Sequence, residues 1–212
     1  GGRDRGGMGG ARVILVVGYD RAELVDIACV TTTLGMANHL GARDRAYRVL
    51  FATPGGRAIN CNFGLTLTGQ QALERCNGPL DTMIVSGGVG HEDAAADPRI
   101  VGHVRRLAGQ SRRVASVCTG ATILAAAGLL DGKRATTHWE YARRFAARFP
   151  KVTVDARPIY LRDGNISTAA GVTSALDLAL PFVEEDHGAE VARRVSRHLV
   201  TYLQRPGNQA QM

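Results

Sequence analysis

The stretch that decides the fold reads Val114-Ala115-Ser116-Val117-Cys118-Thr119-Gly120-Ala121. Its first four residues are typical of a buried strand, and the small apolar residues from Gly120 to Leu130 predict a helix. Cys118 lies on the turn between them, which is the position of a nucleophile elbow at the carboxyl end of a parallel strand. The start of a helix beside a thiol favours the thiolate form. The alternative is a small cysteine buried in the core.

The composition indicates one globular domain. The chain has 212 residues, and 45% of them are hydrophobic, which is enough for one full core. Residues 1–10 are rich in Gly and Arg, and we expect this segment to be disordered. No apolar run approaches the length of a membrane span, and the start of the chain lacks the apolar segment of a signal peptide. We therefore expect a cytoplasmic protein with no membrane partner.

Several kinds of site are not indicated by the ionisable residues. The four cysteines form no C-x-x-C pair, and the six histidines show no metal-binding spacing. The sequence therefore predicts reduced thiols, no metal site and no cofactor. The formal net charge is +7, but the arginines occur as dispersed pairs such as Arg105-Arg106 and Arg193-Arg194. We interpret these pairs as solvated helix faces rather than as a nucleic-acid surface.

Strand and helix patterns alternate along the whole chain. Apolar strand runs end at Gly18, Ala52 and Ser86, and helical patterns follow most of them. This alternation predicts an α/β fold, a flavodoxin-like three-layer sandwich with a mostly parallel central sheet. We also expect a short helix over Gln70 to Arg75, a helix over Pro98 to Gln110 that Asp97 caps, and a hairpin at Asp163-Gly164.

Sites in such sheets lie at the carboxyl ends of the strands. Gly87 and Gly88 follow a buried strand, so their amides can point into the crevice that holds Cys118. Together with the N–H of Thr119 they would form an oxyanion hole. The alternative is that the two glycines only make a turn.

Two further residues are candidate acids or bases. Asp26 is an acidic residue in an otherwise apolar helix start, where a carboxylate needs a partner or a raised pKa. It is a candidate general acid or base facing the thiol. His138 follows a short strand and is a candidate base for Cys118, with a packed histidine at a strand–helix turn as the equal alternative.

The chain resembles the ThiJ/PfpI superfamily, which has the class I glutamine amidotransferase-like fold. The resemblance covers residues 11 to 204. The resemblance rests on the segments 81–88 and 116–121, the run Ala126 to Gly132, Ala135-Thr136-Thr137-His138-Trp139, and the segment 167–177. PfpI-type peptidases carry Cys-His at the elbow, whereas this chain carries Cys118-Thr119. The resemblance therefore argues against a peptidase.

Two groups within this superfamily share Cys-Thr-Gly-Ala and Thr-Thr-His-Trp. One is isonitrile hydratase, in which the elbow Cys, the next Thr and an Asp on the first helix serve catalysis. The matching residues here are Cys118, Thr119 and Asp26. The other is the N-terminal domain of GlxA-type AraC regulators, which precedes helix-turn-helix units that bind DNA. A thiol redox sensor based on Cys118 is a third class.

The last residues favour the regulator over the enzyme. The polar run 204–211 looks like the junction at which GlxA-type regulators enter their linker. The resemblance then implies a linker from residue 205 to 212 and a DNA-binding domain absent from this chain. It implies two partners, a small-molecule effector in a pocket beside Cys118 and a second copy in a homodimer. The apolar residues of segments 191–199 and 176–180 are candidates for the dimer interface.

Overall fold

The computed structural model describes residues 10–41, 44–171, 174–199 and 210. These ranges contain most of the expected domain 11–204. Residues 1–9 of the expected disordered start lie outside the described residues. The same holds for the expected linker 205–212 apart from Ala210, and for the expected end of the last helix at Leu203.

A mostly parallel sheet forms the centre of the domain. The strands in chain order are β1 (Arg12–Val17), β2 (Tyr47–Thr53), β3 (Ile59–Asn60), β4 (Thr66–Leu67), β5 (Gln71–Ala72), β6 (Leu80–Val85), β7 (Ser111–Val117), β8 (Arg134–Ala135), β9 (Thr153–Val154), β10 (Tyr160–Asp163) and β11 (Ile166–Ala169). Seven of them make one sheet in the order β10-β11-β7-β6-β1-β2-β5. Within it only the edge pair β10–β11 is antiparallel.

The sheet is central because its middle strands are buried over most of their length. All six residues of β6 are buried, and so are the last four of β1. A strand that is apolar on both faces must be covered on both, which favours the parallel arrangement with helices on each side. The antiparallel pair β3–β4 and the parallel pair β8–β9 lie outside this sheet.

Helices flank the sheet in two groups. They are α1 (Leu24–His39), α2 (His91–Ala96), α3 (Pro98–Ala108), α4 (Ala121–Ala126), α5 (Trp139–Arg148), α6 (Ser174–His187) and α7 (Ala189–His198). Helices α1, α6 and α7 pack together, and so do α2, α3 and α4. The predicted α/β fold with a mostly parallel sheet is confirmed. Within the described ranges, no helix has the length and hydropathy needed to cross a membrane.

Two helix starts show how the sequence sets the boundaries. The Asp97 side chain accepts a hydrogen bond from the Arg99 N–H at 2.9 Å, and Pro98 occupies the first turn of α3, as the sequence predicts. Glu23 caps α1 in the same way, by accepting from the Val25 N–H at 3.2 Å. Glu23 is thus a structural cap at the entry to the helix that carries Asp26.

Two local predictions differ from the structure, and one short helix was not predicted. Residues 70–75 form the edge strand β5 and a 3-10 turn, because β5 pairs with the end of β2 and Gln70 bonds both backbone groups of Phe51. The elbow helix α4 ends at Ala126 instead of Leu130, and Gly128 follows with φ 76°. The short helix α2 was not predicted from the run that follows Gly90.

A buried ionic cluster occupies the amino ends of β1, β6 and β7. The Arg113 side chain is only 2% exposed, and its guanidinium contacts Asp81 at 3.1 Å and Asp186 at 2.7 Å. Arg12 adds a 3.0 Å contact to Asp81. The Arg113 guanidinium also lies 4.1 Å from the centre of the Phe182 ring. This cluster ties α6 to the edge of the sheet opposite the elbow.

Candidate functional site at the elbow

The predicted elbow is present at the carboxyl end of β7. Cys118 has φ 54°, a left-handed conformation that a non-glycine residue adopts at a cost of about 1–3 kcal/mol. A 3-10 turn over Cys118–Gly120 leads directly into α4. A Cβ atom on Gly120 would lie 2.4 Å from the Val85 carbonyl oxygen, so only glycine fits this close approach. The small residues around Cys118 are therefore required by the backbone.

Asp26 lies in the first turn of α1 and is 1% exposed. Its Oδ2 accepts the Gly87 N–H at 3.1 Å, while its Oδ1 has no hydrogen-bond partner in the described part of the chain. Burial raises the pKa of Asp26 to about 8; the Gly87 hydrogen bond opposes this shift and the charge of Glu23 adds to it. The carboxyl is therefore mainly protonated at neutral pH. The sequence left open a partner or a raised pKa for Asp26, and both occur: one hydrogen bond from Gly87 and a raised pKa.

The Cys118 thiol is buried, with 8% of the residue exposed. Burial and the negative charge of Asp26 raise the pKa of Cys118 to about 12, although the N–H and hydroxyl of Thr119 act in the opposite direction. The prediction that the helix start favours a thiolate is thus wrong. Desolvation outweighs the local donors, and the site holds a neutral thiol beside a mainly neutral carboxyl at pH 7.

Tyr19 is a member of the site that the sequence analysis missed. It follows β1, is 2% exposed, and donates its hydroxyl to the Ser86 carbonyl oxygen at 2.5 Å. Burial and the charges of Asp26 and Cys118 raise the pKa of Tyr19 well above its usual value. An aromatic residue directly after the first strand end, where polar site residues were sought, was the available signal.

The structure places Gly87 and Gly88 beside the elbow but does not leave their amides open. A Cβ on Gly87 would lie 2.7 Å from the Cβ of Cys118, which shows how closely the two segments pack. The Gly87 N–H donates to Asp26, and the Gly88 N–H donates to the Thr119 hydroxyl at 3.0 Å. The Thr119 hydroxyl in turn donates to the Gly88 carbonyl oxygen at 3.1 Å. Two of the three donors expected in the oxyanion hole, the amides of Gly87 and Gly88, are therefore already occupied.

His138 has a structural role at the start of α5. Its Nδ1 accepts the Glu140 N–H at 3.2 Å, and its ring stacks on the exposed Trp139. Nδ1 is thus occupied and is not available as a base for Cys118. The preceding residue does reach the elbow, because the Thr137 hydroxyl donates to the Cys118 carbonyl oxygen at 3.1 Å. The segment supports the elbow through the Thr137 side chain, which bonds the backbone of Cys118.

Metal ligation and a nearby cavity complete the description of the site. In the described ranges, no group of three or more His, Cys, Asp or Glu side chains is placed to hold a metal ion. A cavity of about 420 Å³ opens on the far side of Tyr19, and Cys118 is not among its lining residues. The arrangement at the elbow is therefore a buried pair of acids, Asp26 and Cys118, with the Gly87 backbone between them.

The DJ-1/PfpI family model matches residues 11–185. The chain is 38% identical over 144 residues to the isonitrile hydratase of Pseudomonas putida, covering 66% of this chain and 60% of that protein. It is 32% identical over 182 residues to the HTH-type transcriptional regulator GbdR of Pseudomonas aeruginosa. It is also 33% identical over 173 residues to the regulator GlxA of Rhizobium meliloti.

Coverage differs between this chain and the regulators. The matches take in 85% and 82% of this chain but only 48% of GbdR and 52% of GlxA. The chain thus spans about half the length of these relatives. Among solved structures, a ThiJ/PfpI family protein from Pseudomonas syringae superposes with a TM-score of 0.81 and 26% identity, over 95% of this chain and 79% of that one.

Proposed function

Because the chain belongs to the DJ-1/PfpI family, we propose that it is the ligand-sensing and dimerisation domain of an AraC-family transcriptional regulator of the GlxA type. The observation that carries the proposal is the pattern of coverage: the regulators match most of this chain, and this chain matches about half of each regulator. A separate domain for DNA binding then lies in the other half of the protein.

The chemistry of the elbow supports sensing over thiolate catalysis. Cys118 keeps its proton at neutral pH, because burial and Asp26 raise its pKa to about 12. A thiol and a protonated carboxyl are weak nucleophiles, but both are hydrogen-bonding groups suited to recognising a small molecule. The buried Oδ1 of Asp26 is one such group, and it has no hydrogen-bond partner in the described structure.

An apolar groove supports the dimerisation part of the proposal. A cavity of about 400 Å³ lies along α1 and is bordered by Leu176 of α6 and by Leu199, which follows α7. Val25 is 48% exposed at its edge. Leu176 and Leu199 line the groove, whereas Leu180 and Val195, also expected at the interface, are fully buried in the core. The second copy would cover this groove.

A reporter fusion tests the proposal. The chain is joined to a DNA-binding domain that represses transcription only as a dimer, and repression is expected. Val25→Lys should abolish repression, while Trp139→Lys, an equally exposed apolar residue outside the groove, should leave it intact. The reading frame that follows residue 212 should encode helix-turn-helix sequence. A stop codon there would contradict the proposal, and so would a fusion of the unaltered chain that does not repress transcription.

Isonitrile hydratase is the second candidate, because one observation favours it. The site brings together Cys118, Thr119 and Asp26, the three residues that the resemblance assigns to this catalysis. In a balanced sequence the isonitrile carbon gains a proton from Asp26 and a bond to the Cys118 sulfur, while the thiol proton returns to Asp26. Water then adds to that carbon, and the thiol leaves. The product is an N-substituted formamide.

Product formation tests this second candidate. The purified chain is incubated at high concentration with an alkyl isonitrile, and formamide is measured by mass spectrometry. Cys118→Ala and Asp26→Ala should each abolish the product, whereas Cys76→Ala, a buried cysteine outside the site, should not. Absence of formamide with the unaltered chain would eliminate the hydratase. Binding of the isonitrile without turnover would instead agree with sensing.

A further inference from the structure

The cavity near the elbow that Tyr19 lines is a candidate binding site of its own. Its volume is about 420 Å³, which is within the range of small-molecule sites. The turn after β1, the turn after β2 and the α2–α3 segment surround it. Tyr19 links the cavity and the elbow, because it is among the residues that line this cavity and its hydroxyl donates to the Ser86 carbonyl oxygen.

The frame of the cavity is rigid. Arg21 adopts φ 64°, and its N–H donates to the Asn60 carbonyl oxygen at 2.6 Å, while its own carbonyl oxygen accepts the Gly90 N–H at 3.1 Å. On the opposite wall, the Arg57 carbonyl oxygen accepts the Thr53 hydroxyl at 2.7 Å. These backbone contacts fix the positions from which the charged side chains extend, so little order has to be created on binding.

Some of the charged side chains that line the cavity form ion pairs, and others do not. Arg21 pairs with Asp93, and Arg99 lies 3.7 Å from Glu74. Among the residues that the structure describes, Arg57 has no carboxylate within ion-pair distance.

Two carboxylates of the lining also lack a cation within ion-pair distance in the described chain. Asp20 accepts only a backbone N–H, from Asn60 at 3.2 Å, and Asp97 accepts the Arg99 N–H at 2.9 Å. One cation and two carboxylates therefore face the cavity without an opposite charge. Ile59 and Ile100 supply apolar surface between them.

The unpaired cation and the two unpaired carboxylates determine which kind of ligand fits the cavity. A simple carboxylate would meet Arg57 but would also face two like charges, and a simple amine would face Arg57 as a like charge. A molecule with both groups pairs each charge with its opposite. We propose that this cavity binds a small zwitterion, an amino acid with an apolar body, whose carboxylate contacts Arg57 and whose ammonium group lies against Asp20 and Asp97.

The site is distinct from the Asp26–Cys118 pair. The ligand would contact Tyr19, which lines the cavity and donates its hydroxyl to Ser86, so occupancy can constrain that hydrogen bond. The inference does not depend on the regulatory role, because binding is a property of the 212-residue chain alone. A fusion that fails to repress transcription leaves it intact, and failure of binding leaves the regulatory role intact.

Calorimetric titration with three matched probes tests the inference. The probes are δ-aminovalerate, valerate and n-pentylamine, which share a carbon chain and differ in charge. The zwitterion is expected to bind roughly tenfold or more tightly than either singly charged probe. Equal affinities for all three probes, or no heat from the zwitterion at millimolar concentration, would overturn the proposal.

Two variants locate the bound molecule. Arg57→Gln should weaken the zwitterion roughly tenfold or more, and Asp20→Asn, which keeps an acceptor for the Asn60 N–H, should weaken it in the same direction. Arg48→Gln is the control, since Arg48 is an exposed arginine on β2 outside the cavity. An equal effect of the two arginine variants would place the ligand elsewhere and overturn the assignment.

Discussion

Asp26 raises the pKa of the Cys118 thiol, and only the burial of that thiol has a larger effect. The two residues lie on separate elements, at the start of α1 and the end of β7, and the Gly87 backbone lies between them. The same carboxyl has its own pKa raised to about 8 by burial. The elbow is therefore a site in which two acids both hold their protons near neutrality.

Removing the Asp26 charge should make Cys118 more reactive at alkaline pH. Asp26→Asn takes away a negative charge that opposes thiolate formation above about pH 8, so the pKa of Cys118 should fall. The rate of iodoacetamide labelling of Cys118, followed by mass spectrometry against pH, measures this shift. Glu23→Gln is the control and should have a smaller effect. An unchanged or slower rate in Asp26→Asn would contradict the electrostatic account.

The same variant should change the pH dependence of stability. The folded-state pKa of Asp26, about 8, lies above its unfolded value near 3.8. Its stabilising contribution is complete below the unfolded value and is lost as the pH rises through the folded one. The free energy of unfolding of Asp26→Asn, measured with urea, should therefore exceed that of the unaltered chain by a margin that grows to a few kcal/mol between about pH 4 and pH 8. A constant difference would argue against a buried, protonated Asp26.

Gly120 should tolerate no side chain. Gly120→Ala places a Cβ 2.4 Å from the Val85 carbonyl oxygen, a backbone atom that cannot move aside. We expect a loss of about 1–3 kcal/mol in the free energy of unfolding. Gly102→Ala is the control, because that position in α3 has no atom within 4 Å of the added Cβ. It should gain about 0.5–1 kcal/mol. Similar effects at both positions would mean that the close approach is not the cause.

The ionic cluster should make the fold sensitive to acid. Burial acts to raise the pKa of Asp186, but hydrogen bonds from Tyr47 and Arg113 and the charge of Arg113 hold it below its usual value. Its contribution is thus present above the unfolded pKa and is lost as the pH falls through the folded one. Asp186→Asn should cost about 3–5 kcal/mol at pH 7, because it leaves the buried Arg113 with one less partner.

Denaturant unfolding at two pH values checks this cost. The difference between Asp186→Asn and the unaltered chain should shrink in acid, where the native carboxyl also becomes neutral. Glu190→Gln, which removes one partner of an exposed pair with Arg193 on α7, should cost little at either pH. A large cost that stays the same at both pH values would show that packing, and not charge, is responsible.

Local patterns in the sequence predicted the elbow, the capped start of α3 and the strand–helix alternation. These features depend on neighbours in the chain: the apolar run before Cys118, the glycine after it, and Asp97 before Pro98. Asp26 was recognisable because an acidic residue interrupts an apolar helix start. Such signals can be recognised in a single sequence because the residues that produce them lie within one or two turns of backbone of one another.

Features set by tertiary contacts could not be predicted in this way. The protonation of Cys118 depends on how deeply the thiol is buried and on a carboxyl from α1. The amides of Gly87 and Gly88 are occupied by side chains from two other elements. Gln71 and Ala72 form a strand because they pair with the end of β2. In each case a partner distant in the chain outweighs the local preference.

The paired hydrogen bonds between Thr119 and Gly88 join the loop after β6 and the elbow into one mechanical unit. A displacement of that loop is therefore expected to move the backbone at residue 119 as well. The requirement on residue 119 is then a hydroxyl that accepts and donates at once. Thr119→Ser should keep both hydrogen bonds to Gly88, whereas Thr119→Val, with a side chain of nearly the same shape, should lose both while the thiol stays in place.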